Sequence, residues 1–278
     1  MSRKQDSDRE PGRHDWRGWL RYSSYSAAIL LLLASAMFLY ARMDQFLAGD
    51  PRFTLAAPSA DGESTALRIV GALHTPRAAI FQVFSEDFGR SVYLLPLEQR
   101  RQALLEIDWV RDATLSRLWP DGLEVHILER KPVAFLRLPA AANPASGSIA
   151  LVDAEGAILS QPARAEFTLP AISGIRREQS RATRQQRVAI ALRLISELGD
   201  LAGSLSEIDV SDPENVQVVL QASDRVVSLQ LGSRNFLPRL QNFLRYFEAM
   251  EQQRPEAATF DLRLDDRITA VGEGKRGG

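Results

Sequence analysis

From Tyr22 to Ala41 the chain runs for 20 residues without a charge, centred on Ala27-Ala28-Ile29-Leu30-Leu31-Leu32-Leu33. Inside hydrocarbon every backbone N–H and C=O must find its partner within the segment, so a lone apolar run of this kind can only be helical. Roughly 20 apolar residues cross a ~30 Å hydrocarbon core, which makes Tyr22–Ala41 a single transmembrane helix. Tyr22, Leu30, Leu31, Leu32, Leu33, Phe38 and Tyr40 are its anchor residues, with Trp16, Trp19, Tyr25 and the two terminal tyrosines near the ends, where amphipathic rings favour the interface. Ala34-Ser35-Ala36 has the small-residue pattern of a signal-peptide cleavage site, which leaves a cleaved leader as the alternative. Apolar residues continue through Met37-Phe38-Leu39-Tyr40, and that favours an anchor. Arg9, Arg13, Arg17 and Arg21 precede the helix while Arg42 and Arg52 follow it, so residues 1–21 are expected as a cytoplasmic tail and the rest as an exported body.

That body has to fold without covalent or metal support. The chain has no cysteine and three histidines, which excludes disulfides, thiol chemistry and soft metal sites. The formal net charge is -1, so nothing in the balance calls for nucleic acid. Apolar content of 45% is that of an ordinary folded protein.

Pro, Gly and small residues mark 42–64 as a linker. Leu67-Arg68-Ile69-Val70 is a short strand ended at Gly71. Thr75-Pro76 has the form of an N-cap with proline at the first helical position, and Ile80, Val83, Phe84 and Phe88 carry the helix to about Phe88. A second helix covers Glu98–Ile107. Trp109 to Ala134 then gives two strands about the turn Trp119-Pro120-Asp121-Gly122. Pro120 sets φ at the second turn position, and Gly122 tolerates a positive φ. Leu123, Val125 and Ile127 alternate with Glu124 and His126, and Pro132, which cannot donate to a ladder, stops the strand near Arg130.

The run Trp109, Val110, Ala113, Arg117, Trp119, Pro120, Leu123, Val125, Glu129, Arg130, Pro132, Ala134 resembles the POTRA domain of the FtsQ/DivIB cell-division family, and the order β-α-α-β-β agrees with it. Trp109, Trp119, Pro120, Gly122, Glu129, Arg130 and Pro132 are its structural motif, and the domain is expected over 65–132. Val152-Asp153-x-x-Gly156 and Leu169-Pro170-x-Ile172-x-Gly174 are similar to the family's next signatures.

The second domain, expected over 133–266, opens with a strand at Val133–Leu138. A loop at 139–148 leads to a hairpin at Ile149–Leu159 turned by Asp-x-x-Gly. Ser180 caps a helix over Arg181–Leu198 ended by Gly199, with Val188, Leu192, Ile195 and Leu198 as its apolar stripe. Strands follow at Leu205–Val210, Val216–Leu220 and Val226–Leu231. A helix over Asn235–Gln253 has the stripe Leu237, Leu240, Phe243, Leu244 and Phe247. A last strand covers Thr259–Leu264, and 267–278 is expected as a disordered tail. The fold class is therefore α+β: one N-terminal transmembrane helix, a POTRA domain, and a second α+β domain with a mostly antiparallel sheet.

No G-x-S-x-G, H-E-x-x-H or S-x-x-K occurs, so no catalytic residues, cofactor, metal or small-molecule substrate are expected. Gly272-x-Gly274-x-x-Gly277 matches a dinucleotide fingerprint in spacing but opens no helix. Glu129, Arg130 and Lys131 stand where the two domains meet, as an ion-pair cluster or as a solvated strand end. The resemblance implies a non-enzymatic scaffold of the divisome at the septum of the bacterial inner membrane. It implies FtsB- and FtsL-like bitopic proteins and other divisome components as partners. Phe260, Asp261, Leu262, Arg263 and Leu264 resemble the family's closing strand, whose edge would pair with a partner, with Arg263 as ion-pair donor. Leu264 stands where the family has an aromatic residue. The alternative is a POTRA module for outer-membrane protein assembly or secretion. It lacks the strands of a C-terminal barrel.

Overall fold

The computed structural model describes residues 16–59, 65–139, 147–162, 165–222 and 224–271. The expectations for residues 1–15 and 60–64, for most of the 139–148 loop, and for the glycine fingerprint from Gly272 lie outside these. Contacts divide the chain into two units. One takes in residues up to Arg68 with 86–96 and 116–124, and the other takes in 69–85, 97–115 and 125 onward.

In the first unit, helix α1 covers Trp16–Gly49, longer than the expected 20 residues at both ends. Residues 42–48 contain neither Gly nor Pro, so nothing halts the helix before Gly49 and Pro51. Ala27–Leu47 is the one stretch among the described residues long and apolar enough to cross a membrane. Leu30, Leu31, Leu32, Leu33, Phe38 and Tyr40 are all exposed along it, and the side chain of Tyr22 lies outside the described residues. The expected linker is partly built into the fold. Asp50 accepts from the Arg52 N–H at 2.9 Å and caps a 3-10 turn at Pro51–Phe53. Leu55 N–H then donates to Arg90 O and Val92 N–H to Phe53 O, both at 2.9 Å, and Phe53 and Leu55 are buried.

Strand β1 (Leu67–Val70) is followed by α2 (Arg77–Val83), α3 (Leu97–Leu105), β2 (Val110–Leu118) and β3 (Gly122–Glu129). The strands form a sheet in the order β1-β3-β2, so the expected β-α-α-β-β unit is present. Leu123, Val125 and Ile127 are buried while His126 is exposed, which is the alternation read from the sequence. Three details of the reading need correction. Helix α2 stops at Val83 instead of running to Phe88, and Thr75 does not cap it, because its hydroxyl donates to Glu129. The Trp119–Pro120 peptide bond is cis. Gly122 does not have a positive φ; a Cβ there would lie 3.0 Å from Leu118 Cβ, so close approach is what favours glycine.

The second unit contains a nine-stranded sheet. Its strands are β4 (Pro132–Leu138), β5 (Ser148–Asp153), β6 (Ile158–Leu159), β7 (Ala171–Ser173), β8 (Leu205–Asp209), β9 (Val216–Ala222), β10 (Arg225–Gly232), β11 (Thr259–Asp261) and β12 (Thr269–Val271). They lie in the order β12-β11-β10-β9-β8-β7-β4-β5-β6. Most neighbours are antiparallel. The parallel pairs β7/β8 and β10/β11 are each joined by a crossover helix, α4 (Arg181–Leu198) and α5 (Phe236–Gln253). Ser180 Oγ accepts from Thr183 N–H and Gly199 ends α4, as expected. Val188, Ala191, Leu194 and Leu198 of α4 join Leu240, Phe243 and Phe247 of α5 over Val218, Leu220, Val227 and Leu229 in one core. Leu192 and Ile195 are only partly buried, and Leu244 is exposed, so both apolar stripes are rotated from their expected centres. Strand β5 is buried on both faces from Ala150 to Asp153. Ala150 and Val152 join the core under the helices, while Leu151 packs with Trp109 and Leu159.

Candidate partner-binding site

Sheet edges offer unpaired backbone groups to a partner strand. Among the described residues no cluster of three His, Asp or Glu side chains could hold a metal. The two edges of the large sheet are β6 and β12. The β6 edge has only two residues, and the Trp109 indole N–H caps the next carbonyl, Ser160 O, at 2.9 Å. The β12 edge is different.

The sequence reading placed the edge on Phe260–Leu264, and the topology corrects it. Strand β11 ends at Asp261 and lies between β10 and β12, so it has no free side. The expected disorder beyond 266 is likewise wrong for Thr269–Val271, which pairs antiparallel with β11. The two ladders settle which backbone groups face out. Ser228 N–H donates to Ala258 O and Leu262 N–H donates to Gln230 O, so residues 258, 260 and 262 aim their polar groups at β10. Thr259 and Asp261 then face β12, opposite Val271 and Thr269. Alternation leaves Ala270 directing its N–H and C=O out of the sheet. Phe260 and Leu262 are buried in the core and Leu264 is exposed. Arg263 already holds Asp261 in a forked pair, with Nη2–Oδ2 at 2.7 Å and Nε–Oδ1 at 3.0 Å. The Arg263 hydrogen bond, more than anything else, keeps the Asp261 carboxyl below the usual carboxylate range.

A residue that the sequence reading passed over shapes this edge. Arg239 of α5 is buried, and its guanidinium donates to Leu231 O and Arg263 O at 2.6 Å and to Asp265 Oδ1 at 2.7 Å. It ties the end of β10 to the segment that leads into β12. Gly232 has φ +73°, and a Cβ there would lie 2.9 Å from Arg239 Nη1, so the cation needs glycine beside it. The hydrogen bond from Arg239 also lowers the Asp265 carboxyl from its ordinary value. The signal was present in the sequence. Arg239 stands three residues after Phe236 and one before Leu240, on the apolar face of the helix.

The motif residues build a second polar centre. Glu129 Oε1 accepts from Thr75 N–H at 2.6 Å, Thr75 Oγ1 at 2.7 Å and His74 N–H at 2.8 Å, and Oε2 lies 3.0 Å from His74 Nδ1. Burial is the largest influence on its pKa and acts upward. The Thr75 and His74 hydrogen bonds together outweigh it and hold the carboxyl below the usual glutamate value. The His74 ring stacks on Trp109 with centroids 4.8 Å apart. Arg130 Nη1 sits 2.8 Å from Asp153 Oδ2 and 3.2 Å from Glu155 Oε2, with its side chain 9% exposed. Arg130 thus pairs with Asp153 and Glu155 while Glu129 binds His74 and Thr75, and Lys131 is exposed, so the three residues expected as one ion-pair cluster turn to separate partners. Pro132 is the first residue of β4, where a missing N–H is tolerated. Trp119 and Pro120 lie at an exposed hairpin tip.

A β-α-α-β-β unit of POTRA order followed by a mostly antiparallel sheet, with an apolar helix ahead of both, defines the class of protein. Known proteins narrow the class. Residues 64–130 match the family of POTRA domains of the FtsQ type, and residues 140–263 match the family described as Cell division protein FtsQ/DivIB, C-terminal. The chain is 33% identical over 212 residues to a cell division protein FtsQ of Koribacter versatilis, covering 74% of this chain and 59% of that protein. It is 26% identical over 260 residues to the FtsQ of Novosphingobium aromaticivorans, covering 90% and 76%. Over 94 residues it is 37% identical to the FtsQ of Zymomonas mobilis, covering 34% and 28%. The chain thus spans well under two thirds of the Koribacter and Zymomonas relatives. It belongs to the FtsQ/DivIB family of cell-division proteins.

Proposed function

We propose that the protein is a non-enzymatic scaffold of the divisome, anchored once in the inner membrane at the septum with its N-terminus cytoplasmic and its body periplasmic. The POTRA domain occupies 65–132 and the partner-binding domain follows from 133. In this reading the second domain captures FtsB- and FtsL-like bitopic proteins by strand addition, linking early division proteins to septal wall synthesis. Main-chain pairing at a sheet edge supplies affinity, and side-chain pockets supply specificity. One observation carries the proposal: β12 ends the sheet with the polar groups of Ala270 turned outward. The recognition strand is therefore Thr269–Val271, while Phe260, Asp261, Leu262, Arg263 and Leu264 form its support and flank.

Replacing Leu262 by proline would be a poor test, because Leu262 is buried and its N–H donates to Gln230 O. Ala270→Pro is a clean one. Proline on an edge strand with its nitrogen facing solvent is tolerated, so the variant keeps its fold and loses the outward donor. Capture of the exported segments of FtsB and FtsL by the full chain should fall at least about tenfold, the worth of one to two net hydrogen bonds. Undiminished capture by a folded Ala270→Pro protein would remove the edge from the mechanism.

A further inference from the structure

Four aromatic rings run in contact from the end of α1 to the tip of the β2–β3 hairpin. Phe46 meets Phe53 with centroids at 6.0 Å, Phe53 meets Tyr93 at 5.8 Å and Trp119 at 5.1 Å, and Tyr93 meets Trp119 at 5.7 Å. All four belong to the first unit. Phe53 is buried among them, yet Trp119 is 69% exposed, Met43 59% and Phe46 53%. Together with Leu47 and Pro120 they line an open apolar groove. The division function proposed above makes no use of it.

We infer that this aromatic tip is a lipid-binding surface, seated in the headgroup layer of the bilayer that α1 crosses. The inference rests on the reading of α1 as the membrane anchor and adds a contact of the folded body with the same membrane. Three observations single out lipid as the occupant. The groove is continuous with the apolar span, since Ala27–Leu47 contains Met43, Phe46 and Leu47. Ser91 Oγ donates to Leu47 O at 2.7 Å, which ties the loop carrying Tyr93 to the helix end. With Tyr22–Ala41 in the hydrocarbon, Met43 and Phe46 lie about 3 and 7.5 Å beyond it at 1.5 Å per residue, within the ~5–8 Å headgroup layer of one leaflet. Residue type agrees with depth, because Trp and Tyr combine an apolar body with a polar tip and concentrate at that level. Charge at the rim is mixed. Arg42 lies 5.5 Å from the Phe38 ring centroid, and Arg52 sits on the groove rim with a 74% exposed side chain. Asp50 pairs with Arg52, and Asp121 also lines the groove, so the rim carries anions as well as cations and the apolar rings make the principal contact.

The chain has no cysteine, so single spin labels can be placed on the full protein without removing any. Labels at Leu33→Cys, Asp121→Cys and Thr114→Cys are read in nanodiscs of phosphatidylethanolamine and phosphatidylglycerol by collision with oxygen and with a nickel chelate. The expected result is a hydrocarbon signature at 33, a several-fold drop in nickel accessibility at 121 relative to 114, and restoration of the aqueous value at 121 by Trp119→Ser with Phe46→Ser. An aqueous signal at 121 beside a hydrocarbon signal at 33 overturns the lipid contact while leaving the anchor intact. An aqueous signal at 33 overturns the anchor, and the contact with it. Shielding at 121 that survives the double substitution, or that occurs only in discs holding two copies, assigns it to another surface or to a second chain and overturns the inference.

Discussion

Glu129 shows how much a single side chain carries in this fold. It collects four donors from His74 and Thr75, residues more than fifty positions away in sequence. Its carboxyl is held below the ordinary glutamate value, so the folded state binds its proton less readily than the unfolded chain does. The resulting stability is complete above about pH 4.5, the unfolded value, and is lost as pH falls through the lower folded value. Glu129→Gln should therefore cost about 1–3 kcal/mol at pH 7, the worth of hydrogen bonds to a charged acceptor. The difference from wild type should shrink below about pH 4. Denaturant unfolding followed by circular dichroism across pH 3–7 reads this directly, and a difference independent of pH would show that the charge is not what matters. The motif marked Glu129 as important from the sequence. Its partners were not legible there, because Thr75-Pro76 reads locally as a helix cap and only the folded chain brings the hydroxyl to the carboxylate.

At the scale of elements, the sequence was informative wherever a local rule decided the outcome. Helix α4 begins and ends where Ser180 and Gly199 said it should, and β3 stops before Pro132. It was uninformative where a long-range contact decided. Strand β12 is three residues of mixed character among charges and glycines, with no period to detect, and exists because β11 offers it a ladder. Arg239 secures that arrangement by binding Leu231 O, Arg263 O and Asp265 at once. Replacing it with methionine keeps much of the packing and leaves two carbonyls without their donor. The expected cost is about 2–3 kcal/mol, with amide exchange accelerated first at Thr269 and Val271. Exchange that rises uniformly across the sheet would argue against a local tether.

Across the whole molecule, the edge at β12 of the nine-stranded sheet is the surface on which the scaffold account depends. The sequence reading looked for the edge on Phe260–Leu264, beside the strand that ends the sheet, because Asp261-Leu262-Arg263 carries the family pattern while β12 carries no pattern of its own. Residue-resolved hydrogen exchange of the full chain, with and without the exported FtsB segment, tests the account most directly. In the free protein the amides of Thr269 and Val271 should be protected by β11 and that of Ala270 should exchange freely. On binding, Ala270 should become strongly protected while its two neighbours change little. Tight binding that leaves Ala270 exchanging freely would contradict strand addition at this edge.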